Sequence, residues 1–221
     1  MKYKPMLAYP VSAKPIDYSK PVFIQPKLDG VRCLIQLNKG KYHQELGAWD
    51  PMTEVVAYSR TGKVWKNIDH ILEELEPFFD KHPNVVLDGE LYNHDFKDDF
   101  EQIISMVRKT KPTDEDRLIS TENVQFHCYD IIHPGDIDFS DRNLFIKHCL
   151  PESYCIKHLT TYQVESDVTA KIIHTQNLRD GYEGSIIRLN TFYQQKRSHS
   201  LRKFKDFQDA EANIIGYEEG K

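Results

Sequence analysis

Lys27-Leu28-Asp29-Gly30-Val31-Arg32 runs directly into Cys33-Leu34-Ile35-Gln36-Leu37, and the reading of this stretch decides the rest. Val31, Cys33, Ile35 and Leu37 alternate with other residues, the period of a half-buried strand, and Asn38-Lys39-Gly40 supplies a turn after it. Lys27 therefore stands in a loop or strand end that leads into a strand. Pro26 stiffens the backbone before it, and Gly30 permits a turn after it. A lysine that acts as a nucleophile must lose its proton, although a free lysine titrates at about 10.4. It must also face a cleft in which neighbours hold the electrophile in line. Asp29 and Arg32 bring opposite charges within a few residues of the amine. Alone, K-x-D-G is equally good turn chemistry, so the hexapeptide takes its meaning from its company.

Upstream, residues 5–26 carry five prolines and read as extended, irregular surface chain. Downstream, Val55-Val56-Ala57-Tyr58-Ser59 reads as a strand. Ile68, Ile71, Leu72, Leu75, Phe78 and Phe79 recur at helical spacing, with Asn67 as the expected N-cap and Pro83 beyond the end. Val85-Val86-Leu87-Asp88-Gly89-Glu90-Leu91 is a buried strand carrying two acids, and Phe100, Ile103, Ile104 and Val107 form a second helical stripe. A strand over residues 124–132 and a helix over about 141–150 follow. Next come a helix from Ser166 to a stop at Gly181, and strands over residues 184–189 and 212–217. Strands and helices alternate irregularly, which favours a mixed α+β architecture over a regular doubly wound sheet.

The 221 residues suit one large domain, and 39% hydrophobic with 29% charged residues is an ordinary globular composition. No apolar run approaches membrane-spanning length, and the start of the chain lacks the apolar core of a secretory signal, so the expectation is a cytoplasmic protein without a membrane partner. The four cysteines (Cys33, Cys128, Cys149, Cys155) form no CxxC pair and the ten histidines no HExxH, which argues against a structural transition-metal site. Cys33 and Cys128 fall at core positions of strands. With 29 basic and 34 acidic residues the net charge is −5, which argues against a protein coated in positive charge but not against a local basic groove. Lys196, Arg197, Arg202, Lys203 and Lys205 form an acid-free run, whose ordinary explanation is a solvated face. Arg108, Lys109 and Lys111 cluster after a predicted helix and are candidates for phosphate contacts.

Six segments lie in order along the chain: Lys27 to Arg32, Ser59-Arg60-Thr61-Gly62, Asp88-Gly89-Glu90, Phe126-His127-Cys128-Tyr129-Asp130, Glu183-Gly184-Ser185-Ile186-Ile187-Arg188 and Lys203-Phe204-Lys205. Together they resemble the signatures of the covalent nucleotidyltransferases, the superfamily of DNA ligases, RNA ligases and mRNA capping enzymes. Asp209-Ala210-Glu211-Ala212, after the last signature, and Leu91-Tyr92-Asn93, after Asp88-Gly89-Glu90, resemble ATP-dependent DNA ligases, as does the compactness of small phage and viral members. An RNA ligase or a capping guanylyltransferase is the nearest rival, and a non-catalytic nucleotide-binding module of the same fold is a further alternative. NAD-dependent ligases fit less well, because no separate nicotinamide-recognising domain precedes Lys27.

The resemblance implies an ATP-grasp-like nucleotidyltransferase domain of antiparallel sheets flanked by helices over residues 1–205, with residues 206–221 a linker and the start of a truncated OB domain. It implies three steps: Lys27 takes AMP from ATP with release of pyrophosphate, AMP passes to the 5′-phosphate of a nick, and the 3′-hydroxyl seals the strand. By the same resemblance Arg32, Arg60, Glu90 and Tyr129 bind the nucleotide, with Tyr129 under the adenine. Lys203 and Lys205 bind the α-phosphate and lower the Lys27 pKa by repulsion, and Asp29 positions the amine or a hydrated metal. Glu183 and Glu90 hold Mg2+ or Mn2+. A monomer acting on nicked double-stranded DNA is expected, sealing weakly without a complete OB domain.

Overall fold

The alternating run after Lys27 is the strand β3 (Val31–Asn38) of a five-stranded sheet. The computed structural model describes residues 3–38, 42–43, 48–49 and 54–205. The Lys39-Gly40 turn, the strand over 212–217 and the segment from Asp209 onward lie outside the described residues. Around β3 stand β6 (Glu54–Ser59), β7 (Val86–Tyr92), β8 (Gln125–Ile132) and β9 (Ile156–His158), in the order β6-β3-β7-β8-β9. A second five-stranded sheet holds β1 (Leu7–Pro10), β2 (Val22–Pro26), β10 (Tyr162–Val164), β11 (Ser185–Leu189) and β12 (Arg197–Phe204), ordered β1-β12-β11-β2-β10. Pairing is antiparallel except for β1 with β12 and β8 with β9. A two-stranded ribbon of β4 (Tyr42–His43) and β5 (Ala48–Trp49) lies between β3 and β6 in sequence.

Alternation gives the β3 sheet two different faces. Cys33, Ile35, Ala57, Leu87, Leu91, Phe126, Cys128 and Ile131 form the main core with the helices α1 (Asp69–Lys81), α2 (Phe100–Val107) and α4 (Phe139–Cys149). The opposite face carries Arg32, Asp88, Glu90 and Tyr129 towards the β2 sheet, whose own core of Val22, Ile24, Val164 and Ile187 is closed by Ala170 of α5 (Asp167–Arg179). The helix expectations hold in kind: α1, α2, α4 and α5 all form, and Ser166 caps α5 by accepting from the Thr169 amide at 3.1 Å.

Three expectations fail for local reasons. Residues 5–26 are not irregular surface chain, because they contain β1 and the wholly buried β2. Pro10 and Pro26 stand at the ends of these strands, where a missing N–H breaks no ladder, and Val22-Phe23-Ile24 between them has ordinary strand character. Asn67 does not cap α1. Ile68 occupies that position, while the buried Asn67 amide donates to the carbonyls of Met106 (2.9 Å) and Asp116 (3.1 Å) and ties α1 to its neighbours. The helix α3 (Asp114–Asn123) was not anticipated, although Thr113 and Asp116 make a reciprocal capping box at its start.

Candidate active site

Lys27 is placed by backbone pairing. The β2–β11 ladder ends with Pro26 opposite Ser185. One residue further on, the Lys27 amide donates to the Gly184 carbonyl at 2.9 Å and the Glu183 amide donates to the Lys27 carbonyl at 3.1 Å. This puts the Lys27 and Glu183 side chains together, and their ammonium and carboxylate form an ion pair. Lys205, just past the end of β12, pairs with the other oxygen of the same carboxylate. Gly184 makes the arrangement possible, because its φ is 142° and a Cβ there would lie 2.3 Å from the Phe204 carbonyl oxygen. Phe204 turns away from the lysines and stacks on His174 with ring centres 3.7 Å apart, as alternation along β12 requires.

A cavity of about 310 Å³ opens above Lys27 between the two sheets. Arg32, Arg60, Glu90, Tyr129 and Lys203 all line it, joining residues from β3, the turn after β6, β7, β8 and β12. Arg60 leaves β6 in a turn closed by the Gly62 amide donating to the Ser59 carbonyl (2.9 Å). The cavity is large enough for a small ligand, and its cations outnumber its one carboxylate, Glu90. The two lysines of the last signature are not equivalent: Lys203 is exposed on the cavity wall, whereas Lys205 is held by Glu183. Asp29 is exposed beside the amine and acts on it through charge.

Burial pushes the Lys27 amine below the ordinary lysine value, while the charges of Glu90 and Asp29 pull it back up. Desolvation is thus the leading cause, not the repulsion by neighbouring cations expected from the sequence. Burial likewise raises Glu90 to about 7, against the opposing pull of Arg32, of the Tyr129 hydroxyl that donates to it at 3.1 Å, and of Lys27.

Two buried acids, neither assigned a firm role from the sequence, carry the floor. Asp88 accepts Arg32 through both oxygens (2.6 and 2.5 Å) and the Tyr193 hydroxyl (2.6 Å), so much of the Arg32 guanidinium is already engaged. Asp130 accepts Arg142 (2.6 and 3.2 Å) and Arg188 (2.6 Å), and Arg188 also donates to Gln25 (2.6 Å). Arg32 and Arg188 lie 5.1 and 5.4 Å from the centre of the Tyr129 ring, within cation–π range of its face. The basic run before Lys205 is not one solvated face: Arg202 is 1% exposed and donates to the His199 carbonyl at 2.6 Å and to that of Lys14. Cys33 and Cys128 are buried free thiols.

Carboxylate oxygens are hard donors suited to Mg2+, and Glu183 and Glu90 flank Lys27. Among the described residues no group of three or more His, Cys, Asp or Glu is arranged around one point. Mg2+ is ordinarily held by one or two carboxylates with the remaining positions left to phosphate and water, and Glu90 on the cavity wall and Glu183 beside Lys27 are donors of that kind. No described helix is long and apolar enough to cross a membrane.

A family model described as the ATP dependent DNA ligase domain matches residues 5–205. A DNA ligase of African swine fever virus (isolate Tick/Malawi/Lil 20-1/1983) is 26% identical over 180 residues, which span 76% of this chain and 40% of the viral protein. Among solved structures, a Lig E DNA ligase, described as DNA binding with a minimal scaffold, superposes with a TM-score of 0.70 at 22% identity, over 100% of this chain and 75% of that one. The Chlorella virus DNA ligase-adenylate superposes with a TM-score of 0.61 at 21% identity, over 95% of this chain and 70% of that one. These structures share the fold.

Proposed function

The chain belongs to the ATP-dependent DNA ligase domain family, and from that premise we propose that residues 1–205 are an adenylation domain in which Lys27 accepts AMP from ATP. The observation that carries this reading is the meeting of Lys27, Glu183 and Lys205 beneath a cation-rich cavity floored by an aromatic ring.

In the first step the Lys27 amine, having lost its proton to solvent, attacks the α-phosphorus of ATP. A phosphorus–nitrogen bond forms and the bond to the departing pyrophosphate breaks. Burial makes the neutral amine more accessible than in a free lysine. Lys203 faces the phosphates, and Lys205 joins it once the incoming negative charge competes with Glu183 for its ammonium. Tyr129 offers the adenine a flat surface, Arg60 reaches the nucleotide from the cavity rim, and Arg32 supports Tyr129 while facing the same space. Glu90 stands ready for a ribose hydroxyl or, with Glu183, for a magnesium ion. When bound, such an ion supplies positive charge that offsets the charge on the phosphate oxygens. The AMP then passes to the 5′-phosphate of a nick in double-stranded DNA, and the 3′-hydroxyl attacks that activated phosphate and expels AMP. The chain aligns with 40% of the length of its African swine fever virus relative, and the two later steps are proposed for the protein as a whole.

Incubation with α-labelled ATP and magnesium, followed by denaturing electrophoresis, tests the first step. Acid-labile label should stay on the protein, vanish in Lys27→Ala and vanish on chelation, with GTP and NAD giving none. Label that survives Lys27→Ala would overturn the assignment.

A further inference from the structure

His94 lies outside the six segments and does not line the nucleotide cavity, yet it joins two parts of the chain that carry the site. It opens a single 3-10 turn, His94–Phe96, just beyond the end of β7, the strand that bears Glu90. The base of this turn is fixed by the buried Asn93, whose side chain accepts from the Asp95 amide (3.0 Å) and donates to the Asn123 carbonyl (2.9 Å). From that base both ring nitrogens of His94 are used. Nδ1 lies 2.7 Å from the Tyr92 hydroxyl, and Nε2 lies 3.0 Å from the Asp180 carbonyl oxygen. A carbonyl can only accept, so Nε2 carries the proton and Nδ1 of the neutral ring accepts from Tyr92. Burial raises the Tyr92 hydroxyl above its ordinary value, which keeps it a donor. The His94 ring also lies against Tyr182, with ring centres 4.6 Å apart.

Asp180 is the C-terminal cap of α5, where carbonyls lack partners within the helix and ordinarily turn to water. Here the carbonyl is taken by an imidazole that belongs to the other sheet. The short loop from Asp180 to Glu183 is then held along its length. The Tyr182 amide donates to the Asn177 carbonyl (3.0 Å), the Glu183 amide donates to the Lys27 carbonyl (3.1 Å), and Tyr182 packs against Leu28, Tyr92, Tyr129 and Leu159. Two ties between the sheets in the cavity floor run from Gln25 to the Tyr129 carbonyl (3.1 Å) and from Arg188 to Asp130 (2.6 Å), joining β2 and β11 to β8. Neither touches the loop that carries Glu183. We propose that His94 is a positioning residue for Glu183: by clamping the end of α5 to the end of β7, it sets where this carboxylate meets Lys27 and Lys205.

The kinetic consequence rests on the ligase reading, whereas the clamp itself can be measured without ATP. His94→Gln keeps an amide that can donate to the Asp180 carbonyl, and His94→Leu keeps side-chain bulk without a donor. Both are compared with the wild-type chain at a temperature where all three are folded by circular dichroism. In His94→Leu the maximal rate of self-labelling should fall by a factor of about 10 to 100, the upper end being the cost of an ångström of misplacement. The ATP concentration for half-maximal labelling should stay within about twofold, since His94 does not line the cavity. His94→Gln should recover most of the rate. Hydrogen exchange gives the second readout: the Glu183 amide should exchange faster in His94→Leu than in wild type, while the amides between β7 and β8 stay as they are. Equal rates for His94→Gln and His94→Leu would overturn the proposal, because packing alone would then account for the loss. So would a loss confined to the ATP requirement, or Glu183 exchange that does not change. Absence of label on the wild-type chain would remove the ligase reading instead, and the exchange of Glu183 would still decide whether His94 holds the loop.

Discussion

Replacing Gly184 with alanine should separate the geometry of this site from its composition. No charged or polar group is lost, yet the new Cβ would stand 2.3 Å from the Phe204 carbonyl oxygen and 3.3 Å from its carbon. Both are backbone atoms of β12, so no flexible side chain can give way. The φ of 142° adds a conformation that L-residues rarely adopt. A residue forced into such backbone costs about 1–2 kcal/mol, and an extra methyl in packed surroundings typically a further 1–3 kcal/mol. The sum is roughly 2–5 kcal/mol, a large part of the ~5–15 kcal/mol that holds an ordinary domain together. At about 2–4 °C per kcal/mol for a chain of this size, the midpoint should fall by roughly 4–20 °C. Relief would come by moving β12 away from β11, and with it Lys205 away from Glu183 and Lys27. A displacement of an ångström at a reacting group can cost about 100-fold in rate. Self-labelling should therefore fall by about that factor at a temperature where the variant remains folded by circular dichroism. Gly135→Ala is the control, since the nearest atom to its Cβ would be His133 Nδ1 at an ordinary 3.4 Å. A Gly184→Ala protein that melts within 2 °C of wild type (about 1 kcal/mol or less) and labels at the wild-type rate would refute this reasoning.

Asp130→Ala leaves Arg142 and Arg188 buried without their shared carboxylate and should cost about 3–5 kcal/mol by urea unfolding; a loss under about 1 kcal/mol would mean the network adds little. Tyr129→Leu should raise the ATP concentration for half-maximal labelling about tenfold, the worth of one aromatic stack, while Tyr129→Phe should keep the stacking surface; equal effects would shift the role to the hydroxyl on Glu90. His127 is lowered to about 4 by burial, with Lys157 and His94 adding to the effect. Because its folded value lies below its unfolded value near 6.5, it stabilises the fold above that pH and the contribution is lost as pH falls towards 4. Between pH 7 and 5 the loss is about 2 kcal/mol, and His127→Phe, which retains a ring against Tyr92, should flatten that part of the stability profile. An unchanged profile would place the acid sensitivity elsewhere.

The helices α1 and α2 were legible because their apolar residues recur on one face, α5 because Ser166 and Gly181 mark its ends, and most strands because they alternate. What could not be read locally was settled by pairing across the chain. β2 has only five residues, the last of them Pro26 and with Pro21 just before it, and becomes a buried strand because β10 and β11 flank it from more than a hundred residues away. Asn67 has the chemistry of an N-cap but finds better partners in two carbonyls brought up by α2 and α3. Thr113 and Asp116 did carry a visible signal for α3, hidden by the low hydrophobicity of Asp114–Asn123. For the site, the residues that face the cavity were named by their place in six segments. The supporting role of Asp88 and Asp130 was not legible although both stand in those segments, since a buried aspartate looks like any other until its arginines arrive from β3, α4 and β11.

The cluster around Glu183 also shows why Lys27 cannot be understood from its own hexapeptide. One carboxylate serves two ammonium groups, so the trio carries a net positive charge and each carboxylate oxygen already has a cation partner. On the reading proposed above, a magnesium ion that takes this carboxylate competes with Lys27 and Lys205 for it. The exchange must therefore be driven by the triphosphate, whose negative charge replaces Glu183 as the partner of Lys205. Loss of the same carboxylate from Lys27 removes the contact that favours the protonated amine, at the moment when burial under the nucleotide favours the neutral one. Activation of the nucleophile then depends on the presence of its substrate, and in its absence the amine stays paired.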